Sequence, residues 1–195
     1  MASLSFAPEL LLRAQGRSAG PGRGVGLRAA IFDVDGVLTD GRLFIGEQGE
    51  AFKAFHVLDG HGLKLLQRAG IAPLVITGRD SPAVRRRVAD LGLQHAVYGA
   101  ADKLAAAEAL LSQQGLAWSE VAAIGDDWPD LPLLARAELA VAPPSAHAEV
   151  LAIVHHVTRA AAGQGAAREF CDLLLMGAGR YATLLQQHQG TLDGR

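Results

Sequence analysis

Three runs of small and branched apolar residues, each followed at once by a polar cluster, constrain how this chain folds. The runs are Ala29–Phe32, Ala72–Ile76 and Val121–Ile124, and the clusters after them read D-V-D-G-V-L-T, T-G-R and G-D-D-W-P-D. Continuous apolar runs of this length are typical of strands buried on both faces of a parallel sheet. Open α/β sheets bind ligands at the carboxyl ends of their strands. The order of the runs therefore predicts that the polar clusters meet at one edge of a sheet.

The segments between these runs have helical patterns, which predicts an α/β fold: a doubly wound, Rossmann-like parallel sheet with helices on both faces. Ser81 and Pro82 have the residue types of an N-cap and a first helical position. Gly115 is placed to end a helix that begins at Lys103. The predicted helices include 61–69 and 103–114, and the further predicted strands are 96–98, 139–141 and 156–158.

Two short β-like runs, 42–45 and 51–56, are separated by glycines and charged residues, and they predict a β-hairpin insertion over 41–57 after the first strand. Residues 1–26 are expected to form an amphipathic helix (8–15) and a flexible glycine-rich linker (18–26). Residues 27–187 then form one domain, and 188–195 a flexible tail. Because an isolated hairpin is only marginally stable, it is expected to pack against another part of the protein or another chain.

The composition favours one hydrophobic core and excludes several classes of partner. The chain has 195 residues, half of them hydrophobic, and a formal net charge of −2. A net charge this close to zero lacks the excess of positive charge that is typical of proteins that bind nucleic acid. The Arg85–Arg87 run is expected on a solvent-exposed helix face. One cysteine cannot form an intrachain disulfide, and no run approaches the ~18 apolar residues that span a bilayer. The prediction is a cytoplasmic protein that binds neither nucleic acid nor membrane.

The polar clusters have the residue types that magnesium-dependent phosphoryl transfer requires. Asp33 is the candidate nucleophile, and Asp35, two residues on, is the candidate general acid and then general base. The carboxylates of Asp33 and Asp126 suit a hard cation such as Mg²⁺, which prefers oxygen ligands. Thr77 offers a hydroxyl and an N–H to phosphate, and Lys103 offers a balancing positive charge.

Each of these residues also has a structural interpretation. Asp33 and Asp35 alone could belong to a strand-end turn, because Asp-Gly is a common turn pair. Thr77 could only cap a turn, and Lys103 could be a solvated lysine at the start of a helix. The three polar clusters together with Lys103, in this order along the chain, favour catalysis over the structural alternatives.

Other polar residues are assigned supporting or structural roles. Asp127 and Asp130 either support the metal from a second layer or cap the helix that begins near Trp128. Trp128 is expected to pack or to anchor its loop. Adjacent histidines 155 and 156 point to opposite sides of a strand and are expected to be structural. Cys171 is expected in the core.

The complete pattern, spanning residues 28–142, resembles the haloacid dehalogenase-like phosphatase superfamily. Segments 33–41, 55–62, 76–79 and 163–175 are more narrowly similar to the capless, tetrameric 3-deoxy-D-manno-octulosonate 8-phosphate phosphatases. The resemblance implies a phospho-aspartyl intermediate on Asp33, proton transfer by Asp35, and Mg²⁺ held by Asp33, Asp126 and the backbone carbonyl of Asp35. It also implies no cap domain, a homotetramer with active sites shared between subunits, and a role in lipopolysaccharide synthesis.

A capless phosphatase must recognise its substrate with loops, the hairpin and a neighbouring chain. Arg79 is the best candidate for binding a sugar-acid carboxylate, because a guanidinium pairs bidentately with it. The alternative for Arg79 is a salt bridge to Asp80 or another nearby acid. The remaining candidate substrate-binding residues are His56, His61, Lys53 and, reaching an adjacent subunit, Arg168.

The sequence departs from the family pattern at Leu58, His61 and Gln164, and these departures leave the substrate open. A nine-carbon sugar-acid 9-phosphate or a broad range of sugar phosphates are the alternatives. A response-regulator receiver is disfavoured, because its acidic pair precedes its phosphorylated aspartate. A catalytically idle domain that only drives oligomerisation is disfavoured by the complete set of site residues.

Overall fold

The computed structural model describes residues 5–16 and 26–190, and a six-stranded parallel sheet organises them. The strands of this sheet are β1 (Ala29–Phe32), β4 (Ala72–Ile76), β5 (His95–Val97), β6 (Val121–Ile124), β7 (Leu139–Ala142) and β8 (His156–Val157). The hairpin consists of β2 (Phe44–Gly46) and β3 (Gly49–Phe52). The helices are α1 (Pro8–Ala14), α2 (Val57–Arg68), α3 (Pro82–Leu91), α4 (Lys103–Gln114), α5 (Leu131–Leu134), α6 (Ala148–Leu151), α7 (Ala166–Gly177) and α8 (Tyr181–Gly190). The predicted linker lies outside the described residues except for Gly26.

Strand β1 lies in the middle of the sheet, whose order is β5-β4-β1-β6-β7-β8. Phe32, the last residue of β1, is paired with Val75 on one side and with Ile124 on the other. Strand order reverses at this point, so the carboxyl ends of β1, β4 and β6 open onto one crevice. This arrangement confirms the predicted doubly wound fold and the prediction that the polar clusters meet.

Alternate residues of a strand point to opposite faces of the sheet, and in the central strands both sets are apolar. Helices therefore cover both faces. Phe32 faces the core formed with α1, α2, α3 and α7, where its ring meets that of Phe170 edge-on at 5.3 Å. Ile31 faces the second core, which includes residues of α4, α5 and α6. None of the helices in residues 5–16 and 26–190 combines the length and apolar character needed to cross a membrane.

The two helices with predicted caps have the predicted ends. The Ser81 hydroxyl accepts the Val84 N–H at 3.4 Å at the start of α3. Helix α4 begins at Lys103 and ends before Gly115, whose φ of 61° is left-handed. Gly, which has no Cβ, adopts this conformation at little cost, and it therefore stops the helix.

Segment 51–62 differs from its prediction. Strand β3 ends at Phe52, and His56 is the N-cap of α2, which therefore begins at Val57 instead of residue 61. Glycine is favoured at position 60, although it lies inside α2, because a Cβ there would overlap the Arg87 guanidinium. Arg87 is accordingly half-buried and donates to the His56 carbonyl at 3.3 Å, so the prediction of a fully solvent-exposed arginine run was wrong at this residue.

Asp59 of α2 joins this helix to the start of α7. It is 2% exposed, and its Oδ1 accepts the Arg168 N–H at 2.7 Å. The first N–H groups of a helix lack intrahelical acceptors, so Asp59 acts as a cap supplied by a distant part of the chain. Burial, which outweighs this hydrogen bond, raises the pKa of Asp59 above its ordinary value of 3.8.

The raised pKa predicts how Asp59 affects stability. The folded state retains the proton to higher pH than the unfolded state does, so the free energy of unfolding falls as pH rises from 3.8 through the raised pKa. We expect Asp59→Asn to remove this contribution and to flatten the dependence measured by urea unfolding. Asp90→Asn, on an exposed face of α3, is the control and retains the wild-type slope. Parallel curves for Asp59→Asn and wild type would contradict the prediction.

Candidate active site

Three carboxylates meet at the carboxyl edge of the central strands. Asp33 directly follows β1, and Asp126 lies two residues after β6. Each of Asp33, Asp126 and Asp130 places one carboxylate oxygen within 4.8 Å of the others. Gly36, with φ of 87°, lets the loop after β1 approach closely, because a Cβ there would overlap the Asp126 carboxylate.

Lys103 is buried between two of these carboxylates. Its Nζ lies 2.7 Å from Asp33 Oδ1 and 2.7 Å from Asp130 Oδ1. The first position of α4 aims the side chain into the site, where it is 6% exposed. Lys103 is therefore not a solvated lysine at the start of a helix.

Asp130 binds Lys103 and the loop after β6. Its Oδ2 accepts the N–H groups of Asp126 at 3.2 Å and Asp127 at 3.4 Å, and its Oδ1 faces Lys103. Both oxygens are thus engaged, which leaves Asp33 and Asp126 as the carboxylates with freedom to bind an ion. The side chain of Asp127 is exposed.

The site has an excess of negative charge. Burial, followed by the nearby charge of Asp130, raises the pKa of Asp33 to about 8 even though Lys103 opposes the shift. Burial and Asp130 likewise raise the pKa of Asp126 to about 6. Three carboxylates facing one ammonium, with only oxygen donors, fit a hard divalent cation such as Mg²⁺.

Asp35 is not part of this group of three carboxylates, and its contacts are with the segment after the hairpin and with Arg79. Its Oδ1 lies 2.5 Å from Lys53 Nζ and 3.4 Å from the Thr39 hydroxyl, while its Oδ2 is buried without a hydrogen-bond partner. Arg79 Nε is 3.9 Å from the same Oδ2. Two of the predicted substrate-binding residues, Lys53 and Arg79, therefore lie beside the predicted acid/base.

Glu50 is a residue of this cluster that the sequence did not single out. Its carboxylate lies 3.1 Å from Lys53 Nζ and 4.0 Å from Arg79 Nε, and it accepts a hydrogen bond from Ser81 Oγ. Its position three residues before Lys53 was the only local signal, because Ser81 is 31 positions away in the chain. Asp80, the alternative partner of Arg79, instead pairs with Arg85 at 2.7 Å.

Thr77 directly follows β4 and is 1% exposed. Its backbone N–H donates to the Val97 carbonyl at 3.0 Å, and its hydroxyl accepts the Arg79 N–H at 3.3 Å. Because the Thr77 N–H is bonded within the sheet, the prediction that it binds phosphate is wrong in this structure, and the hydroxyl is the group of Thr77 that can still donate. Thr77 thus combines the turn-forming role considered for it with a hydroxyl at the carboxyl edge of the sheet.

The remaining predicted substrate-binding residues lie elsewhere in the chain. His61 and Arg168 line a cavity of about 210 Å³ with residues of α8, and none of the candidate catalytic residues lines it. Arg168 is paired with Asp172 at 2.8 Å. His56 has a buried Nδ1 without a hydrogen-bond partner. Within one chain, the structure does not bring His61 and Arg168 to the carboxylates.

The predicted structural residues are placed as expected. The Trp128 ring N–H donates to His147 Nδ1 at 2.9 Å, which anchors the loop after β6. His155 accepts the Ala140 N–H at 2.9 Å, and His156 lies 3.3 Å from Glu169. Cys171 is buried, and desolvation raises the pKa of its thiol well above the ordinary value.

Comparison with known proteins gives the same class as the fold and the site: the sequence pattern of the haloacid dehalogenase-like hydrolases matches residues 97–170. The 3-deoxy-D-manno-octulosonate 8-phosphate phosphatase KdsC of Yersinia pestis is 43% identical over 154 residues, which cover 79% of this chain and 82% of that protein. The chain belongs to the 3-deoxy-D-manno-octulosonate 8-phosphate phosphatase family of these hydrolases. It is accordingly an enzyme, a phosphoric monoester hydrolase.

Solved structures that are similar over most of the chain include two phosphatases with bound metal. The 3-deoxy-D-manno-octulosonate 8-phosphate phosphatase of Moraxella catarrhalis, in complex with magnesium ion, phosphate ion and KDO, superposes with a TM-score of 0.85 at 33% identity, covering 94% of this chain and 99% of that chain. The cobalt-bound form of the Haemophilus influenzae phosphatase superposes with a TM-score of 0.80 at 42% identity, covering 85% and 96%. These neighbours share the Rossmann-like fold.

Proposed function

We propose that this enzyme removes phosphate from 3-deoxy-D-manno-octulosonate 8-phosphate by a Mg²⁺-dependent reaction through a phospho-aspartyl intermediate on Asp33. The observation that carries the proposal is the pairing of Asp33 with buried Lys103 at 2.7 Å, beside Asp126 at the strand switch point. Family membership supports the substrate class. The magnesium complex of the Moraxella relative supports the metal.

The reaction proceeds in two phosphoryl transfers. The Asp33 carboxylate attacks phosphorus in line with the leaving oxygen, and Asp35 gives that oxygen a proton as the bond to phosphorus breaks. Asp35 then removes a proton from the water that hydrolyses the phospho-aspartate. Lys103 and the Thr77 hydroxyl stabilise the charge that develops on the phosphoryl oxygens.

The residues at the carboxyl ends of β1, β4 and β6 would hold both the metal and the phosphate. The carboxylates of Asp33 and Asp126, with the backbone carbonyl of Asp35, would hold Mg²⁺, while Asp130 holds the loop after β6 through the N–H groups of Asp126 and Asp127. Bound Mg²⁺ neutralises phosphoryl oxygens as a Lewis acid. Lys103 would remain beside Asp33, where its positive charge offsets the repulsion between the Asp33 carboxylate and the negatively charged phosphate.

Recognition of the sugar acid would rest on the cations near Asp35. Arg79 is 48% exposed on its side chain and is available to pair with a carboxylate. Lys53, on the segment that follows the hairpin, also lies beside Asp35. His61 and Arg168 would contribute only through a neighbouring subunit.

Substrate choice is tested by measuring phosphate release with Mg²⁺ from the eight-carbon acid, a nine-carbon sugar-acid 9-phosphate and neutral sugar phosphates. We expect the highest kcat/KM for the eight-carbon acid. Preference for the nine-carbon acid, or equal weak turnover of all substrates, would overturn the assignment. Absence of any turnover would favour the idle oligomerisation domain.

Metal removal is expected to abolish phosphate release. With EDTA, only Lys103 among the described residues faces the carboxylates of Asp33, Asp126 and Asp130 and the incoming phosphate, and we expect less than about 1% of the activity to remain. Adding excess Mg²⁺ should restore it, while adding Ca²⁺, which favours larger and less regular coordination, should not. Undiminished turnover after dialysis against EDTA would contradict the metal site.

The hairpin supports the further proposal of a homotetramer with shared active sites. It exposes Leu43, Ile45 and Phe52 at 46%, 63% and 56%, with the Phe44 ring stacked on Phe52 at 4.3 Å. A two-stranded sheet with such a surface is stabilised by pairing with other copies.

Oligomeric state is checked by light scattering at micromolar concentration. Wild type is expected to be tetrameric, and Ile45→Asp is expected to give smaller species because it places a charge in the apolar contact. Ile153→Asp introduces the same charge at a residue that is 42% exposed beyond α6, and it should remain tetrameric. A monomeric wild-type protein would contradict the proposal.

Within this proposal, residues 27–187 form the catalytic domain, although α1 packs into the same core and α8 continues to Gly190, so residues 188–190 are helical and the rest of the predicted tail lies outside the described residues. The enzyme acts in the cytoplasm, on the route to the sugar acid of lipopolysaccharide that the family resemblance implies.

A further inference from the structure

Glu50 occupies the junction between the hairpin, the start of α3 and the proposed acid/base. It lies on β3, and its side chain is 13% exposed. Hydrogen bonds from Ser81 and Lys53 outweigh the effect of desolvation and lower the pKa of Glu50, which is therefore an anion at neutral pH. Glu50 is the one hairpin carboxylate, among the described residues, that faces Lys53.

The side chain of Lys53 is 1% exposed and lies between two carboxylates. Its Nζ is 2.5 Å from Asp35 Oδ1 and 3.1 Å from Glu50 Oε2. A buried ammonium requires counter-charges in good geometry. With Glu50 present, two anions fix the position of Nζ; with Glu50 removed, only Asp35 does.

Arg79 is shared between the same two anions. Its Nε lies 3.9 Å from Asp35 Oδ2 and 4.0 Å from Glu50 Oε2. Ser81, the N-cap of α3, donates a hydrogen bond from Oγ to Glu50. This bond links Glu50, and with it Lys53 and Arg79, to the start of α3. Glu50 contacts Lys53 and Arg79, and Asp35 contacts the same two cations from the other side.

We propose that Glu50 is a positioning residue for proton transfer: it holds Lys53 and Arg79 in place against Asp35 and thereby fixes the Asp35 carboxylate toward the leaving oxygen. This inference rests on the proposed role of Asp35 as general acid. Glu50 itself does not touch the reacting atoms.

The inference predicts a loss that depends on the leaving group. A sugar alkoxide is a poor leaving group and needs a proton from a well-placed acid, whereas 4-nitrophenolate leaves without one. A defect in positioning Asp35 therefore lowers kcat/KM for the sugar phosphate and spares that for 4-nitrophenyl phosphate. General loss of folding or of metal binding lowers both equally.

The experiment measures kcat/KM for both substrates with saturating Mg²⁺ in wild type, Glu50→Gln and Glu47→Gln. Glu47→Gln removes the same charge from the exposed turn of the same hairpin and serves as the matched control. We expect Glu50→Gln to lower kcat/KM for the sugar phosphate by about tenfold and that for 4-nitrophenyl phosphate by less than about twofold. Glu50→Asp, which keeps the charge on a shorter side chain, should recover part of the loss.

A double-mutant cycle tests whether Glu50 acts through Lys53. In a Lys53→Met background, Glu50→Gln should have little further effect, because its partner is gone. Additive losses, equal losses on the two substrates, or a Glu50→Gln variant as active as Glu47→Gln would each overturn the inference. Failure of wild type to hydrolyse either substrate would instead overturn the proposed function.

Discussion

Asp33→Asn is expected to lower kcat by at least about 10⁴-fold, because an amide oxygen cannot form the acyl phosphate that a carboxylate forms. Asn keeps the shape of the side chain and can still accept a hydrogen bond from the Lys103 ammonium, which lies 2.7 Å from Asp33 Oδ1. The fold should therefore persist.

Two measurements are combined. The first is steady-state phosphate release. In the second, the reaction with a substrate that carries a radioactive phosphoryl group is quenched with acid, which traps the phospho-aspartate on the protein. Wild type should yield labelled protein, and Asp33→Asn should yield none. Asp90→Asn makes the same chemical change at an exposed position of α3 and should leave both readouts unchanged. Retention of more than a few per cent of activity by Asp33→Asn would rule out covalent catalysis through Asp33.

Lys103→Met is expected to reduce both activity and stability. The substitution leaves Asp33 and Asp130 facing each other without the cation that now lies 2.7 Å from each. Removing one partner of a buried ionic cluster leaves uncompensated charge, so the free energy of unfolding should fall by about 3 kcal/mol in EDTA. kcat/KM should fall by at least about 10²-fold, because the phosphoryl oxygens lose a preorganised positive charge.

Urea unfolding with and without Mg²⁺ separates the two consequences of Lys103→Met. Mg²⁺ should recover part of the lost stability, because it supplies positive charge to the same carboxylates, but it should not recover activity. Lys64→Met removes a lysine from an exposed position of α2 and controls for the change of side chain. Wild-type stability of Lys103→Met in EDTA would contradict the buried ion pairs.

Local patterns in the sequence were sufficient for the strands that carry the site. Apolar runs and the residues after them predicted β1, β4 and β6 with the bounds that the structure has, because a strand buried on both faces admits only apolar side chains. Ser81 and Gly115 predicted helix ends for reasons that are also local. The Ser81 side chain caps the start of α3, and the left-handed backbone of Gly115 ends α4.

Segments whose structure depends on distant contacts were predicted less well. Helix α2 begins at Val57 and includes Gly60, against which Arg87 packs, and no residue near Gly60 indicates that contact. The sequence pattern predicted a supporting or capping role for Asp130. Only the tertiary structure shows that both of its carboxylate oxygens accept hydrogen bonds, one from Lys103 and the other from two backbone N–H groups.

The sequence by itself determined the class of enzyme, because phosphoryl transfer requires particular side chains and their order along the chain is visible without coordinates. It also placed Asp33, Asp126 and Thr77 at or near strand ends, because a run of apolar residues that ends at a polar one can be recognised from neighbouring residues alone. Only the tertiary structure decided that Glu50 joins Lys53 and Arg79 to Asp35, and that His61 and Arg168 lie at a different cavity. Those arrangements depend on how the hairpin and α7 pack against the sheet, and packing is set by contacts between residues far apart in the chain.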